Sequence, residues 1–392
     1  MPMRYEDVCI ESLGYTLPEE VVTSSEIERR LAPLYQRLRL PEGRLELISG
    51  VRERRFWPVG TMPSSMSLLS ARQALQAAEM SPARIGALIH ASVCRDYLEP
   101  ATACSVHHRL GLPPSCIVYD LSNACLGLLN GMVQIANMIE LGQIEAGIVV
   151  GSEGSRQLVE TTIDWLNAET SLTRQSVKSA IASLTIGSAS CAILLTHRAI
   201  SRTGNRLWQV TTRAHTEFHD LCHSGNDEAV GSGMSPLMDT DSERLLEEGI
   251  ATGKAAFAEF LQQAGWTPDS LHRTICHQVG SAHRKRMIES LGLNLDRDFS
   301  TLEWLGNTGS VALPITLALA AERQAISGGD QVGLLGIGSG INCLLCAIDW
   351  RHSRIRGNGG AESSIPAPHF QAAKVPDELP AADSVRNSTT AR

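Results

Sequence analysis

The stretch Asp120-Leu-Ser-Asn-Ala-Cys125-Leu-Gly-Leu-Leu-Asn-Gly131 joins two different patterns. Before it, Cys116-Ile-Val-Tyr-Asp-Leu121 is a short apolar, β-branched run that predicts a buried strand. After it, apolar residues at helical spacing predict a helix from Leu126 to about Leu141. Cys125 therefore stands where a strand turns into a helix. The first N–H groups of a helix lack intrahelical partners, and the helix dipole turns its positive end toward such a side chain. Both effects favour thiolate over thiol. Gly127 and Gly131, four apart, share one helix face and admit a close neighbour. No residue from Leu121 to Ile139 is charged, a run long enough to cross a bilayer. Asn123, Asn130, Gln134 and Asn137 recur through it, so the expectation is a helix buried in protein.

A chain of 392 residues can bury large cores and predicts two domains or one duplicated domain. Hydrophobic residues make up 43% and charged residues 19%, as in ordinary globular proteins. The net charge of −8, with no long basic run, argues against nucleic acid as a partner. The ten cysteines lie mostly inside apolar runs, which reads as reduced thiols in a cytoplasmic protein rather than a disulfide framework. Cys343-x-x-Cys346 has the spacing of a metal or redox pair, but no second pair accompanies it and it sits in a strand-like run, so no metal is expected. The acidic N-terminus lacks the apolar core of a signal peptide.

Strands are expected at Val8 to Tyr15, Ile85 to Val93, Ala146 to Glu153 and Gly187 to Leu195, with an alanine-rich helix from Ser65 to Ala78. A helical stretch from Ser24 to about Leu40 is expected to be kinked or interrupted at Pro33. Gly50-Val-Arg-Glu-Arg-Arg-Phe-Trp57 reads as a basic, aromatic surface loop, able to meet an acidic group such as a nucleotide phosphate. Glu99 precedes Pro100 and is biased out of helix, onto a loop before a helix spanning 101–110. The segment 156–184 reads as mixed and partly helical. The second half echoes the first, with strands at Trp208 to His215, Thr274 to Val279, Val332 to Ile337 and Cys343 to Trp350, and helices at Leu245 to Ala264, His283 to Leu291 and Ala312 to Ala325. Residues 1–200 and 201–351 thus read as two α/β halves. Residues 352–392, rich in proline and small polar residues, read as a disordered tail.

Four features then stand together. Cys125 lies at a helix start, His277 near a strand end 152 residues later, and Asn307 in a Gly-Asn-Thr-Gly turn a further 30 on. A Gly336-Ile-Gly338-Ser-Gly340 connection follows. Singly, each has an ordinary reading: a core cysteine, a hydrogen-bonded core histidine, a turn asparagine, a tight strand connection. Jointly, Ala-Cys-Leu, Cys-His-Gln-Val, Gly-Asn-Thr-Gly and Gly-Ile-Gly-Ser-Gly in this order resemble the thiolase superfamily, within it the ketoacyl synthase III group with its Cys–His–Asn triad. The resemblance covers roughly Val8 to Trp350. Ser92-Val-Cys-Arg-Asp-Tyr-Leu-Glu99-Pro-Ala-Thr-Ala, 26 residues before the cysteine, resembles the OleA-type subgroup.

The resemblance implies a layered α-β-α-β-α core made of two duplicated halves, and a homodimer. It implies non-decarboxylative Claisen condensation of two fatty acyl-CoAs to a β-keto acid, a first step toward long-chain olefins or ketones that hands its product to downstream enzymes. Cys125 would be the nucleophile. His277 and Asn307 would stabilise an enolate, and backbone N–H groups of Cys125, Ser339 and Gly340 would form the oxyanion hole. Glu99 would be the base, delivered across the dimer interface. No cofactor or metal is implied beyond the coenzyme A thioesters. A decarboxylating 3-oxoacyl-acyl carrier protein synthase III is the alternative enzyme, and a non-catalytic acyl-binding partner subunit the alternative of another class. His107, His108, Cys222, His223 and His283 suggest no role.

Overall fold

The computed structural model of the chain describes residues 3–225, 238–277 and 279–358. It begins with β1 (Met3–Arg4), β2 (Val8–Thr16), β3 (Glu20–Thr23), α1 (Ser24–Arg30), α2 (Ala32–Leu38), α3 (Arg44–Ser49) and β4 (Glu53–Phe56). The Thr23 hydroxyl caps α1, and Pro33 sits in the first turn of α2, so the proline ends one helix and starts another. Next come α4 (Pro63–Ala78), β5 (Ala87–Ala91), α5 (Thr102–Leu110), β6 (Ile117–Leu121), α6 (Gly127–Glu140) and β7 (Ala146–Glu153). The half closes with α7 (Arg156–Ala168), α8 (Lys178–Ile181) and β8 (Ala189–His197). The second half runs β9 (Arg206–Ala214), the antiparallel pair β10 (Cys222–Ser224) and β11 (Met238–Thr240), then α9 (Ser242–Ala264) and β12 (Arg273–Cys276). It continues through α10 (Ser281–Ser290), α11 (Leu302–Leu305), α12 (Ala312–Glu322), β13 (Gln331–Gly338), β14 (Asn342–Asp349) and β15 (Ile355–Gly357).

The duplication is visible in the strand pairing. The sheet order is β12-β13-β14-β9-β2-β8-β7-β5-β6. In the first half β2 pairs antiparallel with β8, β8 antiparallel with β7, and β7 parallel with β5. In the second, β9 pairs antiparallel with β14, β14 antiparallel with β13, and β13 parallel with β12. Strand for strand the two sets correspond, and along this path only β6 lacks a counterpart among the described residues. The half-sheets meet directly at the pairing of Cys9 with Arg206.

Three apolar cores set the layers. α6 and α12 pack between the half-sheets, where Leu129, Met132 and Leu317 share one core with Ile89, Val149 and Ile193 of one sheet and Val332, Leu334 and Leu344 of the other. α4 and α5 cover the outer face of the first sheet. α9 and α10 cover the outer face of the second. The order is therefore α-β-α-β-α. A fourth cluster, built from α1 to α3 and α7 with β4, lies over the cavity described below. Gly131 explains how close the middle layer sits: a Cβ there would come within 2.5 Å of Val149.

Several expectations are corrected. β6 is the sheet edge and only partly buried, because no strand pairs beyond it among the described residues. Glu53–Phe56 is a fully buried strand paired with β3, not a surface loop. Arg54 donates to the carbonyls of Val22 and Leu184, and Arg55 to that of Pro18, so both guanidinium groups are spent on backbone oxygens instead of a ligand phosphate. Cys343 and Cys346, where no metal was expected, fall in different cores on opposite faces of β14, as an odd spacing along a strand requires. Residues 352–358 are not a tail, since β15 pairs parallel with β2 and Asn358 bonds to both backbone groups of Leu17. The expected disorder of 359–392 lies outside the described residues.

Gly14 is where α4 closes on β2, and a Cβ there would collide with the backbone of Ser70 and Ala74. Gly14→Ala should cost about 3 kcal/mol through forced displacement of the helix. Gly142→Ala should cost only about 1–2 kcal/mol, for a left-handed residue in open space. Urea unfolding midpoints at unchanged slope check this, and equal losses would show that α4 moves off β2 freely.

Candidate active site

Between β6 and α6 the chain makes a tight turn. Ala124 has φ +42°, a left-handed conformation that costs a non-glycine residue about 1–2 kcal/mol. A single 3-10 turn over Ala124–Leu126, closed by the Leu126 N–H on the Asn123 carbonyl at 2.9 Å, then leads into α6. Cys125 sits on that turn rather than in the first turn of the α-helix. Burial pushes its thiol up to about 12, and the nearby Cys222 and Glu153 push in the same direction. These causes oppose the thiolate expected at the helix start: desolvation, Cys222 and Glu153 all raise the thiol.

His277 follows the last residue of β12, its N–H bonded to the Leu335 carbonyl at 3.1 Å. It is buried, and burial pulls its imidazole down to about 4, so the ring is neutral at physiological pH. Neither ring nitrogen bonds to another described residue, and the ring lines the cavity. Asp298 secures the strand end one residue earlier. It accepts from the Cys276 N–H at 3.0 Å and the Thr274 hydroxyl at 3.1 Å, and pairs with Arg284 at 2.6 Å.

Asn307 is held by strand-like bonds: its N–H donates to Thr185, and its carbonyl accepts from Gly187. A Cβ at Gly306, φ +66°, would strike the Thr185 carbonyl, so only glycine suits that position. The Asn307 side-chain oxygen accepts from the Gly309 N–H at 3.0 Å. With the oxygen engaged, the amide NH2 is the end left to donate.

The glycine connection between β13 and β14 lies against the cysteine turn. A Cβ at Gly338 would approach Cys125 Cβ at 3.4 Å and Leu126 at 3.2 Å. Cys125, His277, Asn307 and Ser339 all line one cavity of about 1160 Å³, larger than the roughly 300–1,000 Å³ usual for small-molecule sites. Gly340 does not line it. The lining also takes apolar residues of α9, α10 and β14, among them Phe257, Met287 and Leu345, together with charged ones such as Arg44, Lys178, Asp239 and Glu243. Cys222, His223 and His283, for which the sequence suggests no role, line it too.

Glu99 is exposed on the loop between β5 and α5, outside this cavity. The loop root is not: Val93 and Cys94 line the cavity. The residue overlooked in the sequence is Glu153. It ends the otherwise apolar β7, is 5% exposed, and lines the cavity with Cys125. A carboxylate closing a fully buried strand, at the sheet end where such folds gather their sites, was the signal available. Asp298 carried none.

With the geometry in place, comparison with known proteins is informative. Residues 60–203 match the thiolase N-terminal domain, and residues 261–350 match the C-terminal domain of 3-oxoacyl-[acyl-carrier-protein] synthase III. An acyl-CoA:acyl-CoA alkyltransferase of Shewanella oneidensis is 42% identical over 351 residues, spanning 89% of this chain and all of that one. The enzyme of the same description from Xanthomonas campestris is 32% identical over 348 residues, again over its whole length. A crystal structure of a cysteine-to-serine variant of Xanthomonas campestris OleA, with bound lauric acid and lauroyl-CoA, superposes with a TM-score of 0.83 at 32% identity. It covers 88% of this chain and all of that one.

A buried thiol makes a distinct prediction. The rate of Cys125 alkylation by iodoacetamide, read by peptide mass spectrometry, should keep climbing beyond pH 9, because the thiolate fraction is still growing there. A plateau at or below pH 7 would mean that the helix start does stabilise the thiolate.

Proposed function

The chain belongs to the acyl-CoA:acyl-CoA alkyltransferases, the OleA-type branch of the thiolase superfamily, and from that premise we propose that it joins two fatty acyl-CoAs head to head. The observation that carries the reading is the convergence of Cys125, His277 and Asn307 on one large, mostly apolar cavity from which Glu99 of the same chain is absent. The Cys125 sulfur attacks the first thioester carbonyl. Its proton passes through the neutral His277 to the departing coenzyme A thiolate, leaving an acyl-cysteine. Backbone N–H groups of Cys125 and the Ser339 turn support the tetrahedral oxyanion, each such donor being worth about 3 kcal/mol.

The second acyl-CoA presents its carbonyl oxygen to His277 and the Asn307 amide NH2. Glu99 of the partner subunit removes the α-proton, and the resulting enolate attacks the acyl-cysteine carbonyl. Cys125 leaves as thiolate and regains a proton. The products are one free coenzyme A and a 2-alkyl-3-oxoacyl-CoA, whose hydrolysis yields a β-keto acid. Carbon–carbon bond formation needs no cofactor beyond the two thioesters. A neutral imidazole and an amide suit the enolate step, because both donate hydrogen bonds without titrating near neutrality. Acyl-CoA substrates and ten free thiols support a cytoplasmic location.

A homodimer supplies the missing base. β6 is an unpaired sheet edge, and the nearby Val93, Tyr97, Leu98 and Ile117 are each more than two-fifths exposed. An open strand edge beside exposed aliphatic and aromatic side chains fits pairing with a second copy of this chain.

Purified protein given lauroyl-CoA alone should release coenzyme A and form a β-keto acid or its decarboxylated ketone. Glu99→Ala should still acylate Cys125 but lose condensation by about 100-fold or more, as expected for a general base. Full condensation by that variant, or product only when a malonyl-thioester is added, would overturn the reading. Mixed dimers of Cys125→Ala and Glu99→Ala subunits should regain activity, and silence from verified mixed dimers would exclude cross-subunit action.

A further inference from the structure

Glu153 lies at a crossing of chain segments that the reaction steps above do not use. One carboxylate oxygen accepts from the Val93 N–H at 3.1 Å and from the Ser310 N–H at 3.3 Å, and also bonds to the Ser310 hydroxyl. The other accepts from the Cys94 N–H at 3.3 Å. One buried carboxylate thus gathers four donors from two segments far apart in sequence. Hydrogen bonds to a buried charge are worth roughly twice those between neutral groups.

Each segment carries a functional group a short way along the chain. Ser310 is three residues beyond Asn307, in the turn whose Gly309 N–H orients the Asn307 amide. A Cβ at Gly309 would sit 3.2 Å from the Glu153 carboxyl carbon, so turn and carboxylate are in contact. Val93 and Cys94 form the root of the loop that carries Glu99. That root is tied to β7 twice more, by the Ser92 hydroxyl on the Ser152 carbonyl at 2.9 Å and by the Gly154 N–H on the Cys94 sulfur at 3.3 Å. The far end of the loop is anchored independently. Asp120 accepts from the Thr102 and Ala103 N–H groups, and Asp96 accepts from Ser64. Between these anchors, residues 97–100 are exposed.

We propose that Glu153 is a positioning residue for both sites of the dimer: it sets the Asn307 turn in its own subunit and the root of the loop that delivers Glu99 to the partner subunit. The inference rests on the cross-subunit reading above and adds to it a coupling between the two sites. A carboxylate that only supported its own subunit would act on one site; this one acts on two, through different arms.

Mixed dimers separate the arms. A wild-type subunit paired with a Cys125→Ala subunit has one working site, whose Glu99 comes from the Cys125→Ala chain. Placing Glu153→Gln on that Cys125→Ala chain should leave lauroyl transfer to the remaining Cys125 at the reference rate and lower condensation about tenfold or more. Condensation at the reference rate would overturn the proposal, as would a parallel loss of acylation, which marks general damage. Ser310→Ala, a smaller change in case the glutamine chain fails to assemble, cuts only the Asn307 arm. It should lower condensation on the subunit that holds Cys125 and have no effect on the other; the reverse pattern overturns the assignment. Adding Glu99→Ala to the Cys125→Ala chain tests the underlying reading separately. Condensation surviving that change removes the cross-subunit base, whereas loss there without loss from Glu153→Gln removes only the role of Glu153.

Discussion

The burial of α6 and α12 between two sheets is the constraint on which the site depends. A helix with apolar partners on both sides cannot carry charge, and α6 has no charged residue before Glu140 at its end. It also cannot shift, because Gly131 already touches Val149 and Leu126 already fills the space beside Gly336 and Gly338. The cysteine at its start is thereby held close against the glycine connection. The cost is desolvation of the sulfur, which pushes its thiol up.

That cost shapes the electrostatics of the whole cavity. Burial raises the Cys125 thiol and lowers the His277 imidazole, so it opposes the separated charge of a thiolate–imidazolium pair. The apolar stretch of wall with Phe257, Met287 and Leu345 suits alkyl chains, although Arg44, Lys178, Asp239 and Glu243 also belong to the lining. The one buried carboxylate on its wall, Glu153, is surrounded by donors that neutralise it locally.

Much of this was legible in the sequence. Apolar period and glycine placement located the nine strands of the main sheet path and the long helices α4, α5, α6, α9, α10 and α12, but missed short elements such as β3, β10, β11, β15 and α11; the order of Cys125, His277 and Asn307 pointed to one site. What was not legible depended on tertiary context. The run 116–121 looks like any buried strand, and only the sheet order makes it an edge. Arg54 and Arg55 read as surface cations because burying guanidinium groups is rare, and the carbonyls that receive them lie 32 and 130 residues away for Arg54 and 37 for Arg55. The helix-start argument for Cys125 weighed a local dipole against nothing, since burial is invisible along a chain. Glu153 was passed over because its donors come from residues 93–94 and 310, which only the folded chain brings together.

The duplicated halves differ at their outer rims. β12 is covered on its open side, where Phe299 bonds to the Thr274 carbonyl and Thr274 bridges Asp298, while β6 is left bare. A molecule with one bare rim can associate through it only by the same surface on both copies, about a twofold axis. Where two copies pair this way the rim is used up, and no filament can propagate. One strand present in only one of two repeated units is thus what leaves the molecule with a single open rim.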